Sequence, residues 1–138
     1  FWEPQLRYHA LRGVVNTRVG YTGGDAPEPT YKTVCSGDGH TEALRIEFDP
    51  SVLSYTDLIT RFFRDPHVRS VYGAETPQYR TAIWTQNDEQ QAIALRVGDE
   101  QGKAVPVLPA KPWFDAEEYH QHFLGDFKDF PEELWDDE

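Results

Sequence analysis

The sequence predicts an α/β fold in which helices pack on a mixed β-sheet. Helical and strand patterns interleave along the chain, capping residues precede several of the helical patterns, and the strand segments are short. Interleaved elements of this kind commonly form layers of helices on a sheet. With 138 residues the chain has the length of one domain, large enough to bury a core without disulfides.

The chain opens with a predicted helix over Trp2 to Arg12, where apolar residues recur at helical spacing. Pro4 is tolerated only in the first turn, so this helix should begin near Phe1 or Trp2. A residue preceding Phe1 would then lie at a helix N-terminus, where free N–H groups and the helix dipole stabilise an anion or a thiolate.

Two strands and a loop are predicted next. Val14, Val15 and Val19 suggest the first strand, and the glycines and prolines at positions 20–29 predict a long loop that leads to Tyr31. Loops of this kind commonly carry functional residues.

The second of these strands carries Glu42 on its buried face. Leu44, Ile46 and Phe48 alternate with small or charged residues, so every second side chain should face the core, and Glu42 has the parity of this buried set. A buried carboxylate is costly to ionise, so Glu42 should hold and donate a proton near neutral pH. The alternative is a carboxylate at the strand end that turns to water or pairs with an arginine.

Capping residues locate two later helices. Ser54 and Asp57 form a capping box for a helix that ends at Arg64, and Asn87 with Gln90 caps another. The expected core faces are Leu58, Ile59, Phe62 and Phe63 in the first helix and Ala92, Ile93 and Leu95 in the second.

Two short strands and a last helix complete the predicted elements. Tyr79 to Thr85 has the composition of a strand, and the strand over Val105 to Leu108 should lie at a sheet edge because Pro106 cannot donate a ladder hydrogen bond. Asp115 and Glu118 are expected to cap the last helix.

Composition limits the kinds of partner. The chain has 13 basic and 24 acidic residues and a net charge of -11, which argues against a nucleic-acid partner. Seven acids lie at 126–138, alternating with aromatic residues that we expect to dock on the body. The single cysteine, Cys35, excludes an internal disulfide and a multi-cysteine metal site within this sequence. No apolar run approaches a membrane span of ~18 residues, and we expect a cytoplasmic monomer without a membrane partner.

Two groups of reactive side chains are weak candidates for chemistry. Cys35 and His40, with Asp38 as orienter, have the residue types of a nucleophile and its base, but a single cysteine beside a strand is usually a small buried hydrophobe. His120 and His122 lie two apart on a predicted helix and point in different directions, which does not suit one metal ion. We therefore expect no bound metal.

A set of five residues is a better candidate for a binding site. It combines an aromatic pair at a helix start, Phe1 and Trp2, with two phenols, Tyr31 and Tyr79, and the protonatable Glu42. Such residues suit a small neutral ligand that has an apolar methyl end and a strong acceptor oxygen. The alternative is that the aromatic residues belong to the core.

Several ordered segments carry a more specific signal. They are F-W at the start, G-V-V-N-T-R-V-G-Y-T-G-G from Gly13, P-T-Y-K-T-V-C-S-G-D-G-H-T-E-A from Pro29, F-D-P-S-V-L-S-Y from Phe48, Q-Y-R-T-A-I from Gln78 and A-E-E-Y-H-Q-H-F-L from Ala116. Together they resemble the peptide methionine sulfoxide reductases of the A type. The resemblance implies an α/β (α+β two-layer) fold with a mixed sheet and a ferredoxin-like core. It predicts a reductase domain at 1–125 and a separate acidic, aromatic tail at 126–138.

The resemblance also implies reduction of the S epimer of methionine sulfoxide, free or in oxidised proteins, which repairs proteins under oxidative stress. A cysteine thiolate attacks the sulfoxide sulfur, becomes a sulfenic acid, and is recycled by an external thiol such as thioredoxin or glutaredoxin, without a bound cofactor. By motif, Glu42 corresponds to the acid that protonates the sulfoxide oxygen, and Tyr31 and Tyr79 to the phenols that bind it. Phe1 and Trp2 correspond to the aromatic cage around the substrate methyl.

Three features depart from the family pattern. The family reads G-C-F-W, so the nucleophile is expected immediately before Phe1, whereas Cys35 matches a cysteine that we interpret as structural. Ala74 occupies the place of a usual aspartate, with Glu75 beside it as a substitute. The acidic tail replaces the cysteine-bearing, glycine-rich tail of many members, so no internal resolving cysteine is expected.

Two hypotheses follow. In the first, which we favour, the protein is a one-cysteine reductase whose nucleophile precedes Phe1. In the second, it is a catalytically inactive homologue that binds methionine sulfoxide or methyl-bearing peptides without turnover. A third and minor hypothesis makes Cys35 a displaced nucleophile.

Overall fold

The computed structural model describes residues 1–72 and 75–125 of the chain. Ala74, at the place of the family aspartate, and the tail at 126–138, where docking is predicted, both lie outside the described residues. The elements are α1 Trp2–His9, β1 Val14–Thr22, α2 Tyr31–Cys35, β2 Thr41–Phe48, α3 Tyr55–Arg64, β3 Ile83–Thr85, α4 Asp88–Gln101, β4 Val107–Pro109 and β5 Phe114–Asp115, with 3-10 helices at Pro77–Tyr79 and Glu118–His120.

The strands form two sheets. β1 is the central strand of an antiparallel sheet of order β2-β1-β5, in which Val19 lies opposite Leu44 and Tyr21 opposite Glu42. β3 and β4 form a separate parallel pair. Parallel and antiparallel pairing therefore both occur, and helices pack against the strands, as the α+β prediction requires. The ferredoxin-like core stays a prediction.

The largest sheet buries its inner face under α1 and α3. Leu44, Ile46 and Phe48 of β2 pack on this side, so the alternation read from the sequence is confirmed. The buried members of this cluster are Tyr8, Leu11, Val14, Leu53 and Leu58. α1 begins with Phe1 as its N-cap residue, as Pro4 predicts.

Both predicted helix caps are confirmed. Ser54 Oγ accepts a hydrogen bond from the Asp57 N–H at 3.1 Å, and Asn87 Oδ1 accepts one from the Gln90 N–H at 2.8 Å. These bonds satisfy backbone donors that have no partner inside the first helical turn. Local sequence therefore determines where α3 and α4 begin.

The predicted buried face of α4 is confirmed for Ile93, which packs against the core, and is wrong for Ala92 and Leu95. Ala94, Val97 and Gly98 are buried, whereas Ala92 is exposed and Leu95 is 51% exposed. The reason is close packing on α3: a Cβ at Gly98 would lie 3.1 Å from the ring of Phe63. The small residues of α4 thus meet α3, and the larger leucine is left outside.

β1 is longer than predicted, because Gly20 belongs to the strand rather than to the loop. A Cβ at this position would clash with the carbonyl oxygen of Phe114 and lie 2.5 Å from the ring of Trp113. Only glycine lets β5 and Trp113 approach so closely. The loop consequently starts at Gly23.

The sequence analysis missed α2. Its first turn carries a capping box in which Thr30 Oγ1 accepts from the Thr33 N–H at 3.2 Å and Thr33 Oγ1 accepts from the Thr30 N–H at 2.8 Å. Only Val34 of this helix is buried, so no apolar periodicity marks it.

The predicted strand from Tyr79 and the predicted last helix are also wrong. Tyr79 ends a 3-10 helix, and the strand is confined to Ile83–Thr85. Asp115 lies in β5, where it pairs with Arg18 of the neighbouring strand at 3.1 Å instead of capping a helix. None of the helices in the described part of the chain is long and apolar enough to cross a bilayer.

Candidate active site

A pocket of about 210 Å³ opens beside the N-terminus of α1. Its walls come from α1, β2 and the 3-10 helix at Pro77–Tyr79. The residues that line it are Phe1, Pro4, Glu42, Ala43, Leu44, Gln78, Tyr79 and Arg80. Apolar surface next to a few convergent polar groups is the usual character of a small-molecule site.

Glu42, the second residue of β2, provides the carboxyl group of this pocket. Its side chain is 7% exposed, and Oε1 lies 3.7 Å from the backbone nitrogen of Phe1. Oε2 accepts a hydrogen bond from Gln78 Nε2 at 2.7 Å. The predicted burial of Glu42 is therefore confirmed, and its partner is an amide rather than an arginine. Its role as a proton donor stays a prediction.

Cys35 ends α2 beside this pair. Its Sγ accepts a hydrogen bond from Gln78 Nε2 at 3.1 Å, and the residue is exposed. The expectation of a small buried hydrophobe is wrong, since Val34 is the residue of α2 that turns into the core. One amide thus contacts both the thiol and the carboxyl group, an arrangement that the sequence analysis did not identify.

The two phenols differ in position. Tyr79 is 67% exposed and lines the pocket, whereas Tyr31 lies next to the pocket without being one of its lining residues. A hydrogen bond to Cys35 and the negative charge of its thiolate form raise the pKa of Tyr31, with smaller contributions from burial, Glu42 and Tyr79. Tyr31 therefore stays a neutral O–H donor at neutral pH.

The predicted aromatic pair is divided between the pocket and a neighbouring cluster. The Phe1 side chain, 3% exposed, lines the pocket and packs 5.3 Å from the His120 ring. Trp2 does not line the pocket: it stacks on Phe123 at 4.1 Å, and its Nε1–H donates to His120 Nδ1 at 3.1 Å. His120, which is 2% exposed, thus supports both aromatic residues from behind.

Glu117 is a second carboxylate that sequence reasoning missed. Its Oε1 accepts from the Tyr21 hydroxyl at 2.8 Å and its Oε2 from the Tyr31 N–H at 3.0 Å. Burial alone would raise the pKa of Glu117, but these hydrogen bonds outweigh it and the net pKa is lowered. Tyr21 of β1 and Tyr31 of α2 both lie far from Glu117 along the chain. No local sequence pattern therefore shows that Glu117 links these two elements.

The weak candidates fall outside the pocket. His40 is buried between loop groups: Nδ1 accepts from the Gly24 N–H at 3.2 Å, and Nε2 contacts the Ala26 carbonyl at 2.7 Å. Glu75, considered as a substitute for the family aspartate, is exposed and accepts from the Thr81 N–H at 2.8 Å. Within residues 1–72 and 75–125, no three His, Cys, Asp or Glu side chains are grouped as metal ligands.

Comparison with known sequences gives a consistent result. The family model described as peptide methionine sulfoxide reductase matches residues 1–133. A probable peptide methionine sulfoxide reductase of Schizosaccharomyces pombe is 46% identical over 140 residues, which cover 90% of this chain and 82% of the relative. The peptide methionine sulfoxide reductase of Fragaria ananassa is 38% identical over 135 residues, with coverage of 90% and 71%.

Solved structures agree. Mxr1 from Saccharomyces cerevisiae in its reduced form superposes with a TM-score of 0.70 at 30% identity, over 90% of this chain and 78% of the other. Methionine sulfoxide reductase A of Corynebacterium diphtheriae gives a TM-score of 0.69 at 28% identity, over 89% and 68%. On the strength of sequence and fold, this chain belongs to the peptide methionine sulfoxide reductase family.

Proposed function

We propose that this protein reduces the S epimer of methionine sulfoxide, free or within oxidised proteins, to methionine. The observation that carries the proposal is the buried Glu42 carboxyl group in a pocket with an aromatic wall and an exposed phenol. A sulfoxide has an apolar methyl group and a strong acceptor oxygen, and this pocket offers a partner for each. Membership of the reductase family supports the same activity.

The proposed nucleophile is a cysteine immediately before Phe1, as the family order G-C-F-W implies. Phe1 is the N-cap of α1, so this thiol would lie where the helix dipole stabilises a thiolate. Because the Phe1 backbone nitrogen is 3.7 Å from Glu42 Oε1, the preceding residue would join the chain beside the proposed acid.

The proposed thiolate, Glu42 and the two tyrosines each have a separate role in the proposed reaction. The thiolate attacks the sulfoxide sulfur while Glu42 gives its proton to the oxygen, which Tyr31 and Tyr79 hold through their hydroxyl groups. The protonated oxygen is transferred to the cysteine sulfur as the substrate's sulfur–oxygen bond and the sulfur–sulfur bond formed in the attack both break, so methionine leaves and the cysteine becomes a sulfenic acid. Methionine sulfoxide is thereby reduced by two electrons and the cysteine is oxidised by two. Phe1, which lines the pocket, is proposed to contact the methyl group, and Trp2 of the neighbouring cluster is proposed to complete the aromatic cage.

An external thiol completes the cycle. It condenses with the sulfenic acid to release water and form a mixed disulfide, and a second thiol then releases the reduced cysteine. Thioredoxin or glutaredoxin would supply these thiols, and no bound cofactor enters the scheme. We propose a cytoplasmic setting, since the cytoplasm maintains such reductants.

Turnover of the two sulfoxide epimers with a dithiol reductant tests the proposed activity. We expect the S epimer to be reduced and the R epimer to remain. Intact mass before and after iodoacetamide treatment counts the thiols, and two adducts would reveal a thiol in addition to Cys35. Bound but unreduced sulfoxide would instead support the inactive homologue, and full activity of Cys35→Ser would exclude Cys35 as the nucleophile.

We further propose that residues 1–125 form the reductase domain and that 126–138 form a separate acidic tail. The tail carries aromatic residues that would cover apolar surface if they dock. Deletion of 126–138 should therefore lower the thermal midpoint while leaving turnover of the S epimer unchanged. Equal midpoints for the two proteins would mean that the tail is a free appendage.

A further inference from the structure

We propose that Gln78 is a positioning residue that keeps the acid proton of Glu42 on the carboxyl oxygen facing the reaction. This inference rests on the proposed function, because it assigns a task within the same pocket. Gln78 is 6% exposed, and its amide nitrogen contacts two polar groups from other elements, Glu42 of β2 and Cys35 of α2.

The backbone around Gln78 is held firmly. The residue is the middle one of a 3-10 helix in which the Tyr79 N–H donates to the Thr76 carbonyl at 3.0 Å. The Pro77 carbonyl accepts from Thr41 Oγ1 at 2.6 Å, which ties this helix to β2. A buried side chain on such a backbone loses little further freedom when its amide is used, so the amide is pre-organised.

The donor capacity of the amide decides which oxygen carries the proton. An amide NH₂ group has two hydrogens and accepts no hydrogen bond. One hydrogen goes to Glu42 Oε2 at 2.7 Å and the other to Cys35 Sγ at 3.1 Å. Oε2 is therefore an acceptor, and in the protonated acid the hydrogen is on Oε1. Oε1 is the oxygen 3.7 Å from the Phe1 backbone nitrogen, on the side where the proposed nucleophile would join.

The hydrogen bond from Gln78 to Glu42 also stabilises the carboxylate that remains after Glu42 has given up its proton. Burial disfavours a carboxylate, whereas an N–H donor stabilises it. Without the amide, the acid would hold its proton more tightly and would also carry it on either oxygen. Loss of Gln78 should therefore both slow proton transfer and extend the protonated form to higher pH.

Gln78→Met tests this role, because methionine has similar length and no N–H donor. We expect kcat for the S epimer to fall about tenfold, because a small misplacement of a catalytic group slows the chemical step. KM should change little. We also expect the alkaline limb of the pH–rate profile to move to higher pH, because an N–H donor to the carboxylate has been removed. In a Glu42→Gln background the same substitution should have no further effect, since Gln78 acts through Glu42.

Control variants separate this role from others. Gln91→Met, on the exposed side of α4, should behave as wild type. If Gln78 acted through the thiol, Cys35→Ala would reproduce the loss, and that result would overturn the proposal. The other titratable or charged side chains near Glu42 remain unchanged in Gln78→Met; they are Tyr21, Tyr31, Tyr79, Cys35 and Arg80.

A carbon-13 NMR titration of the Glu42 carboxyl group reports on the contact without turnover. We expect its midpoint in Gln78→Met to lie at higher pH than in wild type, and an unchanged midpoint would overturn the proposal. Gln78→Leu, which also lacks an N–H donor and adds no charge, replaces the variant if Gln78→Met does not fold. A wild type that leaves the S epimer unreduced would refute the proposed function, while the NMR shift would still decide the role of Gln78.

Discussion

At the scale of single residues, the surroundings of Glu42 set it apart from Glu47 on the same strand. The Glu42 side chain is 7% exposed and bonded to Gln78, whereas the Glu47 side chain is 54% exposed. Glu42→Gln should lower kcat for the S epimer at least about a hundredfold, because a carboxamide cannot supply an acidic proton. Steady-state kinetics and thermal unfolding measure rate and folding, and Glu47→Gln is the matched control. An unimpaired Glu42→Gln enzyme would remove the proton-donor assignment.

His120 is the second residue that invites a test. Nδ1 accepts from Trp2, so the ring is the neutral tautomer with its hydrogen on Nε2, which is buried and has no hydrogen-bond partner among the described residues. His120→Phe keeps a ring in the cluster but removes the acceptor. We expect KM for the S epimer to rise about fivefold, as the loss of one hydrogen bond implies, with a smaller effect on kcat. Tyr119→Phe, which keeps its ring next to His120, is the control; an equal KM in His120→Phe would refute the anchoring role.

Residue-level prediction succeeded where the signal is local. Strand parity places Glu42 on the buried side, and alternation extends over only a few positions. Gln78 could not be recognised in this way, because its carboxyl partner lies 36 positions away along the chain. Cys35 was misjudged because its exposure depends on how α2 is oriented, and α2 itself shows no apolar pattern.

At the scale of elements, Gly20 determines how closely β5 approaches β1. Gly20→Ala would push a methyl group into the Trp113 ring and the Phe114 carbonyl. We expect a loss of about 2 kcal/mol in the free energy of unfolding, typical of overpacking, measured by urea denaturation. Val15→Ala, at a position 65% exposed on the same strand, should stay within about 0.5 kcal/mol of wild type. A stable Gly20→Ala variant would show that β5 can move away freely.

The elements that were predicted correctly carry their own start signals. The side chains of Ser54 and Asn87 accept hydrogen bonds from backbone N–H groups three positions ahead. Each cap can therefore be recognised from the local sequence. Asp115, near the end of the described chain, does not cap a helix. It forms an ion pair with Arg18 within the sheet instead. The sequence alone does not distinguish an aspartate that pairs with a neighbouring strand from one that caps a helix.

At the scale of the whole molecule, buried phenols set an alkaline limit on stability. Burial raises the pKa of Tyr55 from 10.0 to about 12, and burial also raises the pKa of Tyr8 and Tyr21. Because the folded pKa lies above the unfolded one, this contribution to stability is complete below pH 10.0 and is lost as the pH rises towards about 12. The free energy of unfolding should therefore fall across that interval.

Tyr55→Phe isolates one of these phenols. We expect the fall in stability above pH 10.0 to be shallower in this variant, because the ring no longer has a proton to lose. Urea denaturation on both sides of that pH measures the slope. Tyr72→Phe, in which the altered ring is 90% exposed, is the control, and identical slopes for Tyr55→Phe and wild type would contradict the assignment.

The general architecture was predictable, and the division of its strands was not. Helix and strand order follows from periodicity and caps, which are local properties. Which strands pair depends on contacts between distant segments, such as Tyr21 with Glu42 in one sheet and Ile83 with Val107 in the other. The pocket combines both kinds of information, so its acid was found from the sequence and its supporting amide was not.

The bond from Trp2 to His120 joins positions 118 apart, and Phe1 packs on the same imidazole. A ribosome releases α1 before the 3-10 helix at Glu118–His120. Domains fold as units once their contacts are available, so the nascent chain exposes Phe1 and Trp2 without the support of His120 until that helix has emerged. Activity should therefore appear only after Glu118–His120 has left the exit tunnel.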